Sequence, residues 1–262
     1  MELNPGRVIA DRYVVDRLLG EGAMGVVYAV RHIQLGAPYA LKLLKITGDS
    51  RKVRAIRARL LTEGRIQASL RHRNIVTVTD TVLIDDQPGL VMEWVDGTNL
   101  DAFIEQRSPL PLDLIESVGR SIIRGVRAAH AAGHLHRDLK PDNILIADED
   151  GEWVPKVADF GLAKVLQDDG IAGASTVHGS VFGTPQYMSP EQAMDSKSVD
   201  ERTDVFALGC ILYELCTGTR AFDGKSLIEV QDRVTRAAYR PTEKLRPDLP
   251  VALVTSSAPP TR

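Results

Sequence analysis

Four groups of residues in this 262-residue chain have types and spacings suited to chemistry on a phosphate. Gly20-Glu21-Gly22-Ala23-Met24-Gly25 is a GxGxxG run. Glycines between two strands let backbone amides lie over phosphates with no side chain in the way. By itself the run also fits a dinucleotide loop or a flexible hairpin tip. The residues after it, Val26-Val27-Tyr28, are β-branched and strand-like, whereas a dinucleotide fingerprint leads into a helix. Lys42 sits inside the apolar run Tyr39-Ala40-Leu41-Lys42. Facing outward it would be an ordinary surface lysine; facing inward, its ammonium needs a partner. Glu63, on the next expected helix, is the natural counter-charge, and the pair would hold Lys42 toward the α- and β-phosphates of a nucleotide. His136-Arg137-Asp138-Leu139-Lys140-Pro141-Asp142-Asn143 packs six polar or charged residues between a helix and a strand. Loops on a rigid scaffold are where catalysis concentrates. Asp159-Phe160-Gly161 follows one strand pair later.

These residues need elements to hold them. Arg12–Leu19 and Val26–Arg31 read as strands flanking the glycine run, and Pro38–Leu44 as a third. Arg51–Leu70 changes period, with Ile56, Leu60, Leu61, Ile66 and Leu70 on one helical face. Ile75–Asp80 and Thr81–Ile84 read as a strand pair, and Leu90–Val95 as a strand stopped by Asp96-Gly97. Helical spacing begins at Leu100. Leu112–Ala132 carries Leu114, Val118, Ile122, Val126 and Ala129 on one face and ends at Gly133. Asn143–Ala147 and Val154–Ala158 are short strands, and Leu162–Gln186 reads as a long loop. Thr203–Thr217 is a strongly apolar helix and Ser226–Ala237 a weaker amphipathic one. The chain is α+β, a small β-rich part followed by a larger α-rich part.

Composition narrows the classes. With 44% hydrophobic and 26% charged residues, the chain is neither disordered nor a small stapled module. A net charge of −3 argues against a dedicated nucleic-acid binder. Cys210 and Cys216 lie in an apolar stretch, without a CxxC, and read as buried thiols. No signal peptide and no run of about 18 apolar residues is present, so a soluble, cytoplasmic chain without a membrane segment is expected. A longer gene product could still be membrane-anchored.

The ordered set of motifs resembles the catalytic domain of eukaryotic-like, bacterial Hanks-type serine/threonine protein kinases, over roughly Tyr13 to Pro250. The resemblance implies a two-lobed fold: a β-rich lobe at 13–95, an α-rich lobe at 96–250 and a disordered tail at 251–262. It implies ATP and Mg2+, and transfer of the γ-phosphate to Ser/Thr hydroxyls of protein substrates in signalling. Leu19, Gly20, Gly22 and Gly25 would cover the nucleotide, Val27 and Ala40 would lie above the adenine and Leu145 below it. Met92 would be the gatekeeper, and Glu93 and Val95 would offer hinge backbone groups. Lys42, paired to Glu63, would contact the α- and β-phosphates. Asn143 and Asp159 would be the hard oxygen ligands of Mg2+. Asp138 would accept the substrate hydroxyl proton, and Lys140 would stabilise charge on the γ-phosphate. Lys140 also points by family analogy to Ser/Thr acceptors, as does Thr184 in Gly183-Thr184-Pro185, expected near Asp138 and Lys140.

In the same family an arginine at the position of Arg137 marks control by phosphorylation of the activation loop. Ser175, Thr176 and Ser180 are the candidate sites, Thr176 first by its distance from Gly183-Thr184-Pro185; each is equally well read as a loop-solubilising hydroxyl. Dimerisation would allow trans-autophosphorylation. His136 is expected in the core against Phe160, and Asp204 is expected to bond the backbone around His136.

Two departures from the pattern stand out. Gln67, one turn after Glu63, replaces an apolar residue of the regulatory stack. Ser189-Pro190-Glu191 matches the APE-type motif, yet no arginine partner for Glu191 is evident, and the ending VALVTSSAPPTR lacks the last two helices of the large lobe. A C-terminally truncated lobe is therefore expected, with Glu191 buried unpaired and helix Thr203–Cys216 partly uncovered. The alternative function is a nucleotide-binding pseudokinase or scaffold, inactive for want of those helices. A dinucleotide-dependent oxidoreductase fails on the strand that follows the glycines.

Overall fold

The computed structural model describes residues 2–22, 25–46, 51–161, 185–194, 199–257 and 259. The chain divides into two compact units, Met1–His72 with Val76–Val95, and Arg73–Ile75 with Asp96–Arg262. Arg73–Ile75, expected in the β-rich part, belong to the second unit for a backbone reason. Ile75 bridges Val157, Val157 N donates to Asn74 O at 2.9 Å, and Asn74 Nδ2 donates to Pro155 O at 2.9 Å.

The first unit is an antiparallel sheet of β1 (Val8–Ile9), β2 (Tyr13–Gly22), β3 (Gly25–His32), β4 (Pro38–Leu44), β5 (Val78–Ile84) and β6 (Gln87–Glu93), with helix α1 (Arg51–Gln67). The strand order is β1-β2-β3-β4-β6-β5. Residues directly opposite one another share a face. Val26, Tyr28, Val30, Leu41, Leu43 and Val91 point into the core. Val27 lies opposite Lys42, Ala29 opposite Ala40, and Ala40 and Lys42 opposite Met92 and Leu90. The other face therefore carries Val27, Ala40, Lys42 and Met92 together. Helix α1 lies on that face through Gly64, where a Cβ would overlap Leu90 Cδ2. Glu63 rides on this helix, but no ion pair joins it to Lys42 among the described residues, so the expected pairing is corrected: the helix seats through Gly64 on Leu90, and Lys42 interacts elsewhere.

The expected strand pair Ile75–Asp80 and Thr81–Ile84 is corrected to a single strand, β5, that hairpins back into β6. Its turn is Asp85-Asp86, with φ of +46° and +63°. Two consecutive left-handed residues match the twist of the flanking strands, a geometry usually announced by Asn-Gly or Asp-Gly.

The second unit contains the sheet β7-β8-β9 (Gly97–Asn99, Ile144–Glu149, Glu152–Val157) and helices α2 (Leu100–Arg107) and α3 (Leu112–Ala131). After it come α4 (Pro190–Met194), α5 (Glu201–Thr217), α6 (Leu227–Thr235), α7 (Thr242–Leu245) and α8 (Val251–Ser257). Helix α3 buries Ile115 rather than Leu114, followed by Val118, Gly119, Ile122, Gly125, Val126 and Ala129. Its two glycines set this phase. A Cβ at Gly125 would lie 2.6 Å from Asn74 O, and one at Gly119 would lie 2.9 Å from Leu212 Cδ2. Gly133 follows the helix with φ +80°.

Helix α5 is the core of this unit. Asp200 caps it by accepting from Arg202 N, and Gly218 closes it at φ +70°. Three expectations are corrected around it. The tail from 251 is helical over Val251–Ser257: Pro250 O accepts from Leu253 N (2.9 Å) and Val254 N (3.1 Å), and Ser257 is buried with its Oγ 3.3 Å from Thr242 Oγ1. Helices α7 and α8 lie against α5. The uncovered surface expected on α5 is accordingly absent over Phe206, Ala207, Cys210, Ile211, Leu215 and Cys216, all of them buried. Glu191 is only half-buried and accepts a hydrogen bond from Thr203 Oγ1 at 3.3 Å, so it is not a buried, unpartnered carboxylate. Among the described residues no helix is long and apolar enough to cross a membrane.

Candidate active site

In the first unit the residues singled out for nucleotide contact fall on one sheet face and one hairpin. Lys42 is 8% exposed, unusually buried for a lysine. The three glycines differ in what requires them. At Gly25 a Cβ would overlap Leu43 O, so the strand pairing itself demands glycine. At Gly20 and Gly22 nothing described lies within 4 Å of a Cβ, so the protein's own packing tolerates a side chain there. Gly25→Ala should cost roughly 1–3 kcal/mol, as overpacking does. Gly20→Ala and Gly22→Ala should leave the thermal denaturation midpoint near wild type. Equal midpoints for all three variants would contradict this assignment.

Met92 is buried at the end of β6. Glu93 N donates to Thr77 O at 2.9 Å, so an adenine meeting Glu93 would have to use its carbonyl. Glu93 Oε1 accepts from Thr77 N at 2.8 Å. Val95 is half-buried, and Leu19 is exposed near the tip of β2. Gln67 is buried.

In the second unit the segment 136–143 is held from several sides. His136 is fully buried and its ring lies 4.8 Å from that of Phe160. Asp138 N lies 3.3 Å from His136 Nδ1, and His136 Nε2 lies 2.8 Å from Ala158 O. The neutral Nε2–H tautomer satisfies both contacts. Arg137 has φ +66°, a left-handed conformation costly for a non-glycine residue. Asp204, 1% exposed, fixes it from α5: Oδ2 accepts from His136 N at 2.8 Å and Oδ1 from Arg137 N at 2.9 Å. His130 Nε2 also meets Asp204 Oδ2 at 2.7 Å.

Asp138 and Lys140 form an ion pair, Nζ to Oδ2 at 3.0 Å. Asn143 Nδ2 donates to Asp138 O at 2.8 Å and reaches Asp138 Oδ2 at 3.4 Å. Among the described residues, Asp138 Oδ1 therefore keeps its lone pairs free. Asn143 Oδ1 is likewise turned away from these bonds. Ala158 N donates to Asn143 O at 2.8 Å, which brings Asp159, at φ +64°, beside Asn143. A carboxylate and an amide oxygen are donor types that suit Mg2+, which binds through one or two protein ligands, waters and substrate phosphates. Among the described residues no cluster of three or more His, Cys, Asp or Glu could hold a metal ion. Leu145 lies on β8 between the buried Ile144 and Ile146, on the opposite sheet face. Ser175, Thr176, Ser180 and Thr184 lie outside the described residues.

Two side-chain contacts of 185–192 went unread in the sequence. Tyr187 Oη bonds Glu214 on α5, and Arg220 Nε faces the same carboxylate at 3.8 Å. Burial pushes both the Glu214 carboxyl and the Tyr187 hydroxyl upward. Gln192 Nε2 donates to Arg137 O at 2.7 Å. The only sequence signal for it was the S-x-x-Q spacing of Ser189-Pro190-Glu191-Gln192.

The His130–Asp204 pair carries a pH dependence. Its hydrogen bond to Asp204 raises the His130 pKa above the ordinary value. That contribution is full below about pH 6.5 and is lost as pH rises through the raised value. Burial pushes the Asp204 carboxyl up, but the bonds from His130 and the two amides outweigh it, and the net shift is downward. Its contribution is present above the ordinary Asp value and is lost as pH falls through the lowered one. The urea midpoint should therefore be highest in mildly acidic buffer and decline as pH rises past neutrality. His130→Gln should flatten that decline, and an unchanged slope would remove His130 as its source.

Comparison with known proteins gives three kinds of match. The model of the protein kinase domain family matches residues 13–253. The serine/threonine-protein kinase pkn3 of Myxococcus xanthus is 36% identical over 247 residues, 93% of this chain and 44% of that protein. The chain thus spans less than half the length of this relative. The crystal structure of the PknI kinase domain of Mycobacterium tuberculosis superposes with a TM-score of 0.71 at 27% identity, covering 99% of this chain and 92% of that one. Rad53 in complex with AMP-PNP superposes with a TM-score of 0.69 at 26% identity, covering 86% of this chain and 53% of that one.

Proposed function

Because the chain belongs to the protein kinase family, we propose that it transfers the γ-phosphate of ATP to Ser/Thr hydroxyls of protein substrates. The observation that carries this reading is the Asp138 carboxylate. Its Oδ2 is held by Lys140 at 3.0 Å and Asn143 at 3.4 Å, and its Oδ1 is left to accept a proton from an alcohol. Phosphoryl transfer asks little covalent work of a protein; it asks for alignment and charge neutralisation. Asp138 orients the hydroxyl and takes its proton at Oδ1 as the new P–O bond forms and the bond from the γ-phosphorus to the bridging oxygen breaks, releasing ADP. Lys140 balances charge on the transferring group. Lys42 and the amides around Gly20 and Gly22 hold the remaining phosphates. That nothing described lies within 4 Å of a Cβ at those two glycines supports this role, since a phosphate needs the room a Cβ would take. In the first unit Val27, Ala40, Met92 and the Glu93–Val95 backbone receive the adenine. Asn143 Oδ1 and Asp159 would hold Mg2+, which supplies charge neutralisation at the phosphate oxygens.

Regulation by phosphorylation of Ser175, Thr176 or Ser180 is part of the reading. Its support is Arg137, whose buried Nε has no hydrogen-bond partner among the described residues. A phosphate is a strong partner for such a guanidinium. One copy modifying another, promoted by dimerisation, would supply that phosphate in the cytoplasm, where ATP is held. Serine/threonine specificity rests on Lys140 and Thr184 and on the likeness to a serine/threonine-protein kinase. No observation favours nucleotide binding without transfer.

The test is incubation with radiolabelled ATP, Mg2+ and a generic protein acceptor, with mass spectrometry of peptides spanning 175–184. Label on serine and threonine, abolished by EDTA, is the expected result. Bound ATP with an unlabelled acceptor and an unlabelled chain would overturn the reading.

A further inference from the structure

We propose that Gln192 is a positioning residue that orients the peptide carrying Asp138. Arg137 is left-handed, so its two flanking peptides depend on side chains to hold them. The peptide between Arg137 and Asp138 is gripped at both ends. Its carbonyl, Arg137 O, accepts from Gln192 Nε2 at 2.7 Å, and its amide, Asp138 N, meets His136 Nδ1 at 3.3 Å. Rotation of this peptide would swing the Asp138 carboxylate away from Lys140 and from an acceptor hydroxyl.

The other end of Gln192 is equally committed. Gln192 Oε1 accepts from Ser189 N at 3.3 Å, and Gln192 N lies 3.4 Å from Ser189 Oγ. This is the reciprocal cap of an S-x-x-Q helix start. A primary amide accepts through its oxygen and donates through its nitrogen, so it can do both tasks at once. Glutamate would keep the cap, lose the donor and bring a carboxylate against a carbonyl oxygen. One side chain thus fastens the segment 189–192 to the loop that carries Asp138.

This inference rests on Asp138 as the base of the proposed transfer, so its test has a readout that needs no transfer. Gln192→Glu, Gln192→Met and Ser189→Ala are compared with wild type by amide hydrogen exchange over 134–140 and by steady-state kinetics. Both Gln192 variants should exchange faster at 136–138. Their kcat should fall about ten-fold, what one net hydrogen bond is worth, with the KM for ATP unchanged. Ser189→Ala, which loses the Oγ contacts to Gln192 N and to Thr203 Oγ1 (3.4 Å each) but leaves the Gln192–Arg137 bond intact, should keep wild-type exchange there and wild-type kcat. If Gln192→Glu does not fold, Gln192→Met carries the comparison. Unchanged exchange in the Gln192 variants, or an equal change in Ser189→Ala, overturns the inference. Faster exchange in a protein whose wild type transfers no phosphate leaves the bridge standing and removes Asp138 as base.

Discussion

Asp204→Ala should lower the thermal midpoint by roughly 10 °C and abolish phosphate transfer with it. The carboxylate is buried on α5 and receives three donors: His136 N at 2.8 Å, Arg137 N at 2.9 Å and His130 Nε2 at 2.7 Å. Removing it strands two backbone amides without their acceptor, and it leaves His130 facing an apolar methyl. Breaking a buried charged hub of this kind costs about 3–5 kcal/mol. For a domain of this size each 1 kcal/mol moves the midpoint by about 2–4 °C. The loss of activity follows from the same geometry, because Arg137 holds its left-handed conformation only while both flanking groups are tied. Asp204→Asn should recover part of the stability, since one oxygen still accepts an amide, while its new N–H groups meet donors on the other side. A midpoint within about 2 °C of wild type for Asp204→Ala would show that the loop is held by other means.

The chemistry of this chain was more legible than its scaffolding, and the reasons are local. The glycine run, Lys42, 136–143 and 159–161 are contiguous motifs whose residue types state their chemistry. The strand Pro38–Leu44 was legible to the residue because its apolar run is bounded by proline and by the end of its hydrophobicity. What hid were features whose cause lies far away in the chain. The Asp85-Asp86 turn carries no glycine or asparagine, so the β5–β6 hairpin was read as two strands before it. The phase of α3 is set by Gly119 and Gly125, which pack by having no side chain and so add nothing to a hydrophobic pattern. The helix Val251–Ser257 looks like a tail by composition and is stabilised by Pro250 and by burial of Ser257. At the site, Asp204 could be anticipated only through family resemblance. The S-x-x-Q spacing announces only the Gln192 cap; its bond to Arg137 O could not be anticipated, because the partner lies 55 residues away and the meeting exists only in the fold.

Asp138→Asn should reduce kcat by about 10²–10⁴-fold, the usual share of a positioned general base, and leave the thermal midpoint and ATP affinity close to wild type. The substitution keeps size and shape. It keeps an acceptor oxygen, and the bond from Asn143 Nδ2 to the backbone carbonyl of residue 138 at 2.8 Å does not involve the side chain. The loop therefore stays built. What disappears is the anionic oxygen able to take a proton: an amide oxygen orients a hydroxyl but does not become its base. Lys140 loses its anionic partner at 3.0 Å but can still donate to the retained amide oxygen. The contrast with Asp204→Ala is the informative part. One variant should unfold early and the other should melt like wild type, yet both should be inactive. Initial rates with a generic acceptor, calorimetric ATP binding and thermal melts on the same preparations decide the matter. A rate for Asp138→Asn within about ten-fold of wild type, less than 1.4 kcal/mol in the barrier, would mean that the alcohol's proton leaves by another route and that Asp138 serves only to hold Lys140.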